Sequence, residues 1–275
     1  MSEDVAPIVS GPTAHLGLGT RSRSPRPFPR ANVMGVPLDA CSAEQFVATV
    51  ESWVDDGERQ FAVPVNAHLV NLVGQDPELA ALLEHSGLNY ADGQSVVWAS
   101  RLLGHRVPAR VPTTEMIYPV AEMLARRRFP VYLLGGLPES VEAAASRLRR
   151  DYPGLEIVGV QHGYFGPAEE RLVIERINRS RARVLLVGMG NPKQEKWVWQ
   201  HLGELRPNAM LTCGGLYDWV SGRKRRAPAW LHRIGLEWLW RLLSEPRRLF
   251  FRYVVGNPRF CLGLARALWR RRSTV

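Results

Sequence analysis

From about residue 32 to residue 218, the chain alternates short runs rich in Val, Leu, Ile and Phe with amphipathic stretches of helical length. Strands separated by helices pair in parallel, because each helix carries the chain back across the sheet. The alternation therefore predicts an α/β domain with a largely parallel sheet. The expected strands are 60–65, 88–91, 130–134, 155–160, 183–187 and 208–212. Ser42 followed by Gln45 reads as a capping box that opens a helix running through Trp53 and ending at Gly57. Helical periodicity also covers 76–86, 93–103, 114–127, 138–151, 167–179 and 192–204.

The two ends differ from this core. Residues 1–31 mix Pro, Ser, Gly and Arg without periodicity, as in Arg21-Ser22-Arg23-Ser24-Pro25, and are expected to be a flexible segment outside the fold. The core is expected over 32–222, followed by a basic, Trp-rich appendage, 223–275, that Pro228, Pro246 and Pro258 divide into three helical pieces. Residues 223–275 hold 14 Lys/Arg against only Glu237 and Glu245, a local +12 that leaves the rest of the chain near −2. A basic tail on a near-neutral body calls for an anionic partner: phospholipid, pyrophosphate or nucleic acid.

Cys41, Cys213 and Cys261 are widely spaced, with no CxxC pair or histidine cluster, which argues against a disulfide framework or zinc site and fits a reducing cytoplasm. No apolar run approaches the roughly 18 residues of a membrane span, so any membrane contact is expected to be peripheral.

Four junctions carry the chemistry. Leu88-Asn89-Tyr90-Ala91-Asp92-Gly93 puts Asp92 at the carboxyl end of a strand, where open α/β sheets bind ligands. Two roles are open to it: a general base for an acceptor hydroxyl, or a turn and N-cap aspartate. Asn66, where Phe61–Val65 meets a helix, either orients a substrate or caps that helix, and His68 faces a similar choice. Val184–Val187 runs into Gly188-Met189-Gly190-Asn191-Pro192-Lys193-Gln194-Glu195, and Val131–Leu134 into Gly135-Gly136, two glycine turns that suggest a nucleotide crevice. Arg110 and the appendage arginines, Arg226, Arg241, Arg247, Arg248 and Arg252 among them, suit pyrophosphate oxygens or form a solvated basic face.

Taken together, Tyr90-Ala91-Asp92-Gly93, Gly188 to Glu195, and Arg226-Ala227-Pro228, Glu237 to Leu242, Glu245-Pro246-Arg247-Arg248 and Arg252-Tyr253 resemble the WecG/TagA/CpsF glycosyltransferases over about residues 32–260. The resemblance implies a Rossmann-like sheet with helices on both faces. It also implies a metal-independent, inverting transfer without cofactor, from a UDP-sugar to a polyprenyl-diphosphate-linked sugar. It assigns Asp92 the base role, with Asn66, its catalytic partner, and Gln194 lining the sugar site and Arg110 nearby. Gly135, Gly163, Tyr164 and Asp218 would hold the nucleotide, with the Gly190 turn beside them. Arg241 and Arg248, with Arg252 adjacent, would close over the diphosphate. Four positions depart from the family pattern: Pro64 stands where a threonine is expected, Phe251 where an arginine is frequent, and Thr113 and Glu115 where glycine and aspartate are usual. The donor is therefore left open among N-acetylmannosamine-type, glucose and uronic-acid sugars.

Phe260, Leu264 and Leu268 recur at helical spacing beside Trp269, with Arg266 and Arg270–Arg272 nearby. That stripe predicts an interfacial helix on the anionic inner face of the plasma membrane; packing on the core or in a homo-oligomer interface is the alternative. With the appendage read as separate, a chain ending at Gly222 is expected to stay folded yet lose vesicle binding and activity. An NAD-dependent oxidoreductase is disfavoured by the absence of a third glycine and of an acidic residue closing a strand about twenty residues later. Nucleic-acid binding is disfavoured because the tail aromatics sit in Leu/Trp-rich helical runs.

Overall fold

The computed structural model describes residues 28–224 and 237–273, so Arg226, Pro228 and Trp230 lie outside the described residues. Six parallel strands form one sheet: β3 (Gln60–Val65), β4 (Leu88–Ala91), β5 (Val131–Gly135), β6 (Ile157–Gln161), β7 (Val184–Gly188) and β8 (Ala209–Thr212), in spatial order β4-β3-β8-β7-β5-β6. Most of these strands are buried on both faces, which explains their near-continuous apolar runs. Two apolar clusters fill the space between sheet and helices, one containing Phe61, Val63 and Leu185, the other Phe46, Leu133 and Tyr217.

The helices match their signals closely. Helix α1 (Ala43–Asp55) opens with the Ser42–Gln45 capping box, α2 (Ala67–Val73) follows β3, and α3 (Pro77–His85) leads to β4. Then come α4 (Gln94–Leu102), α5 (Thr113–Arg127), α6 (Pro138–Asp151), α7 (Pro167–Arg179), α8 (Lys193–His201) and α9 (Leu216–Val220).

Two terminal features differ from expectation. Arg30–Val33 (β1) and Val36–Asp39 (β2) pair as an antiparallel hairpin, so Arg30 and Ala31 belong to the fold and not to the N-terminal segment. Its anchor is Asp39, which takes a 2.9 Å ion pair from Arg30 and accepts the backbone N–H of Asn89 at 2.7 Å. The hairpin thereby packs beside β4, the strand at the edge of the sheet.

At the other end, α10 (Glu237–Ser244) and α11 (Pro246–Phe250) lead through a π-helical turn, Phe251–Val255, into α12 (Gly256–Arg272). Pro258 does not separate helices, because it lies in the first turn of α12, where a missing N–H costs no intrahelical bond. The stripe expected to face lipid faces protein instead: Phe260 is 4% exposed, and Leu264, Ala267 and Leu268 pack on the core cluster that holds Val70. Asn71 Nδ2 donates to the Gly256 carbonyl at 2.7 Å, and Arg271 donates to the Leu103 carbonyl. No helix among the described residues is long and apolar enough to cross a membrane.

Candidate active site

Because all six strands run parallel, their carboxyl ends meet at one edge, and each opens into a segment singled out above. Asn66 follows β3 and Asp92 follows β4, neighbouring strands in which Val65 is paired with Ala91. The N–H groups of Asp92 and Gly93 both donate to the Val65 carbonyl, at 3.0 and 3.2 Å.

Asp92 is not a helix cap: Gly93 occupies the N-cap of α4. Its carboxylate reaches across to the start of α5, where Oδ1 accepts the Thr113 backbone N–H at 2.8 Å and the Thr113 hydroxyl at 3.0 Å. With the Thr113 proton committed to Asp92, the 2.9 Å contact between Tyr90 Oη and Thr113 Oγ1 runs from the tyrosine. Among the described residues no hydrogen bond reaches Oδ2. Asn66 does cap α2, accepting from Leu69 N–H at 3.2 Å through Oδ1, while its Nδ2 makes no hydrogen bond among the described residues. Arg110 lies in the loop whose Val111 N–H bonds the Ala91 carbonyl at 2.7 Å, and it pairs with Glu115 at 3.4 Å.

The π-helical turn brings Arg252 to this end of the sheet. Burial and the Arg252 charge push His68 down to about 4, so the ring is neutral near pH 7. Arg252 is itself pushed down, first by burial and then by Arg241 and Arg248, while Tyr253 and Asp92 oppose the shift. Asp92, His68 and the three arginines therefore share one electrostatic neighbourhood. Arg252 Nε is buried with no hydrogen-bond partner among the described residues, Arg241 stacks over Trp219 at 4.9 Å, and Arg248 pairs with Glu245 at 2.6 Å.

The glycine turns meet beside it. Gly135 has φ +128°, and a Cβ there would stand 2.3 Å from the Gly188 carbonyl oxygen; a Cβ on Gly163 would stand 3.0 Å from the Gly135 Cα. Strand ends this close exclude any side chain and leave a bare backbone floor. Two amides of these turns are already used within the protein. Gly136 N–H donates to Gly188 O at 2.9 Å, and Gly190 N–H to Gln194 Oε1 at 3.2 Å.

Gln194 is wholly buried and faces no crevice. Its Oε1 also accepts Gly214 N–H at 2.9 Å, and its Nε2 donates to Glu195 Oε1 at 2.6 Å. It ties the β7 and β8 turns together instead of lining the sugar site. Sequence reasoning did not single out Glu195, which is wholly buried. Its Oε1 also accepts from Asn191 at 2.7 Å, its Oε2 is buried without a hydrogen-bond partner among the described residues, and burial pushes its carboxyl up to about 7.

Asp218 lies on α9 with Ser140 Oγ donating to it at 2.9 Å and Lys224 Nζ 2.7 Å away. Burial alone would raise its carboxyl, but Lys224, Ser140 and Arg248 outweigh burial and hold it low. Lys224 is also 2.7 Å from Glu245, so one ammonium joins the core to the segment carrying the arginines. Tyr164, next to Gly163, is 70% exposed. A family model described as the glycosyl transferase WecG/TagA/CpsF family matches residues 31–274, nearly the whole chain.

Proposed function

Because the chain belongs to the WecG/TagA/CpsF glycosyltransferase family, whose members act in the synthesis of cell-surface polymers, we propose that it moves a sugar from a UDP-sugar onto a polyprenyl-diphosphate-linked sugar, with inversion and with Asp92 as general base. The observation that carries this reading is the carboxylate of Asp92, held through Oδ1 by two donors and open at Oδ2. A base must be positioned before it is basic, and one immobilised oxygen leaves the other aimed.

In the proposed step the acceptor hydroxyl gives its proton to Asp92 Oδ2. Its oxygen bonds the anomeric carbon from one face, while the bond to the UDP phosphate breaks on the other and UDP departs with the electron pair. Asn66 Nδ2 supplies a donor beside the reacting sugar. Since the Gly136 and Gly190 amides are already used, the charge on the leaving diphosphate falls to Arg241, Arg248 and Arg252. Guanidinium forks suit phosphate oxygens and stabilise charge strongly in a buried setting. The bare glycine floor and Tyr164 flank the nucleotide, and Asp218 holds Lys224 beside it.

Donor choice rests on the sugar side, where Pro64 supplies neither hydroxyl nor N–H. The protein is proposed to work peripherally at the inner face of the plasma membrane, where its acceptor resides. The test is a panel of UDP-N-acetylmannosamine, UDP-glucose and a UDP-uronic acid against a lipid-diphosphate-linked acceptor, with EDTA present. One donor is expected to give product of inverted anomeric configuration. Retained configuration, or product only without EDTA, contradicts the reading.

A further inference from the structure

Helix α12 has a second face. While Phe260, Leu264 and Leu268 pack on the core, Pro258, Leu262 and Arg266 line a groove of about 610 Å³ opposite Val70 of α2. Met34 and Val255 complete its apolar walls, and Arg259 and Arg266 stand at it. Neither arginine has a carboxylate within 4 Å among the described residues. The volume lies within the range of small-molecule sites; Val254 also lines the groove, and Phe251, at the start of the same π-helical turn, is exposed.

Two elements run from the site into this groove. Helix α2, capped by Asn66, carries His68 beside Arg252 and leads past Val70 and Asn71 to its C-cap Gly74 within about 12 Å, at 1.5 Å per residue. The π-helical turn offers Arg252 to the site and, two residues on, Val254 and Val255 to the groove. An acceptor whose sugar hydroxyl sits at Asp92 places its diphosphate next and its hydrocarbon after that. Apolar walls carrying unneutralised cations match such a ligand. Beyond Asn71, Arg259 and Arg266 the walls are apolar or glycine, so the groove offers a nucleobase and ribose few polar partners.

We infer that this groove, between α2 and the outer stripe of α12, binds the first isoprene units of the acceptor's lipid, with Arg259 and Arg266 serving its phosphates. The inference rests on the proposed reaction for the identity of the acceptor. It assigns the groove to the lipid itself and not to the bilayer.

The test uses the full chain and farnesyl diphosphate, titrated by calorimetry without vesicles and below its aggregation concentration. The expected result is saturable binding at least about tenfold tighter than inorganic pyrophosphate, because buried methylenes are each worth about 0.8 kcal/mol. Val255→Glu and Leu262→Glu, at positions 51% and 60% exposed, are expected to fold normally, weaken farnesyl diphosphate about tenfold or more, and leave UDP binding unchanged. Equal affinity for farnesyl diphosphate and pyrophosphate overturns the inference. So does unchanged farnesyl diphosphate binding in both variants, including the case where they lose only flotation with anionic vesicles. A chain that binds farnesyl diphosphate in the groove yet transfers no sugar sinks the proposed reaction alone. Transfer to a tail-less acceptor without farnesyl diphosphate binding sinks the groove alone.

Discussion

Thr113 gives both its backbone N–H and its hydroxyl to one oxygen of Asp92, at 2.8 and 3.0 Å, across 21 residues of sequence. Two donors on Oδ1 hold the carboxylate still and leave Oδ2 to receive a proton. Asp92→Asn is expected to lower turnover at least about a hundredfold with UDP affinity retained, the usual scale for a positioned base. Thr113→Val keeps the N–H, loses the hydroxyl and strands the Tyr90 hydroxyl, so about a tenfold loss in kcat with little change in KM is expected. Steady-state kinetics on both variants separates the base from its holder. A Thr113→Val enzyme as fast as wild type contradicts the positioning role.

Arg252 and His68 offer a check that needs no substrate. Burial is the first cause of the low His68 value and the Arg252 charge the second. Arg252→Gln is therefore expected to move the His68 titration upward from about 4 without restoring the ordinary 6.5. Proton NMR of the imidazole across pH 3–8 reads it directly, and an unmoved titration would show that Arg252 does not sit beside α2.

Part of this was legible and part was not, for physical reasons. Gln60–Val65 and Leu88–Ala91 announce themselves because parallel strands buried on both faces need unbroken apolar runs ending at turn residues. The Asn66 cap is legible too, since the competing roles of Asn at a strand–helix junction turn out compatible: one end of the amide caps and the other stays open. The hairpin is hidden because Val36-Pro37-Leu38-Asp39 is buried at all four positions and shows no alternation, and its charged anchor Asp39 finds its partners only in the folded chain. Thr113 beside Asp92 is tertiary, and no spacing rule reaches it. Gln194 and Glu195 are neighbours at a polar helix start, yet both are wholly buried, and the backbone N–H groups of Gly190 and Gly214, in the turns after β7 and β8, close on Gln194.

Glu195 makes the fold sensitive to pH. Its carboxyl titrates at the ordinary 4.5 when unfolded and, pushed up by burial, at about 7 when folded. Between those values the folded protein keeps a proton that the unfolded chain releases, so this group's contribution is complete below pH 4.5 and is lost as pH rises through 7. Glu195→Gln still accepts from Asn191 and Gln194 but cannot ionise. Relative to wild type, the variant is expected to gain on the order of 2 kcal/mol between pH 5 and pH 8. Urea unfolding of both proteins at the two pH values measures it. A pH-independent difference would mean that Glu195 titrates normally.

Phe260 decides how separable the C-terminal segment is. An amphipathic stripe looks the same in sequence whether it meets lipid or protein, since both take up apolar surface without direction. Here Phe260 is 4% exposed in the cluster that holds Val70, with Leu264 and Leu268 packed beside it and the Asn71–Gly256 hydrogen bond fixing the helix. Truncating a buried phenylalanine costs about 3–5 kcal/mol through lost transfer energy and the cavity left behind. Phe260→Ala is expected to lower the unfolding free energy by that amount, while Trp269→Ala, at a position 73% exposed, is expected to stay within about 0.5 kcal/mol. A chain ending at Gly222 would uncover Val70 and its neighbours together, so it is expected to bind an apolar dye and aggregate, not to persist as the folded core that the sequence suggests. A monomeric, dye-silent truncation with wild-type Tm would return α12 to the role of a detachable appendage.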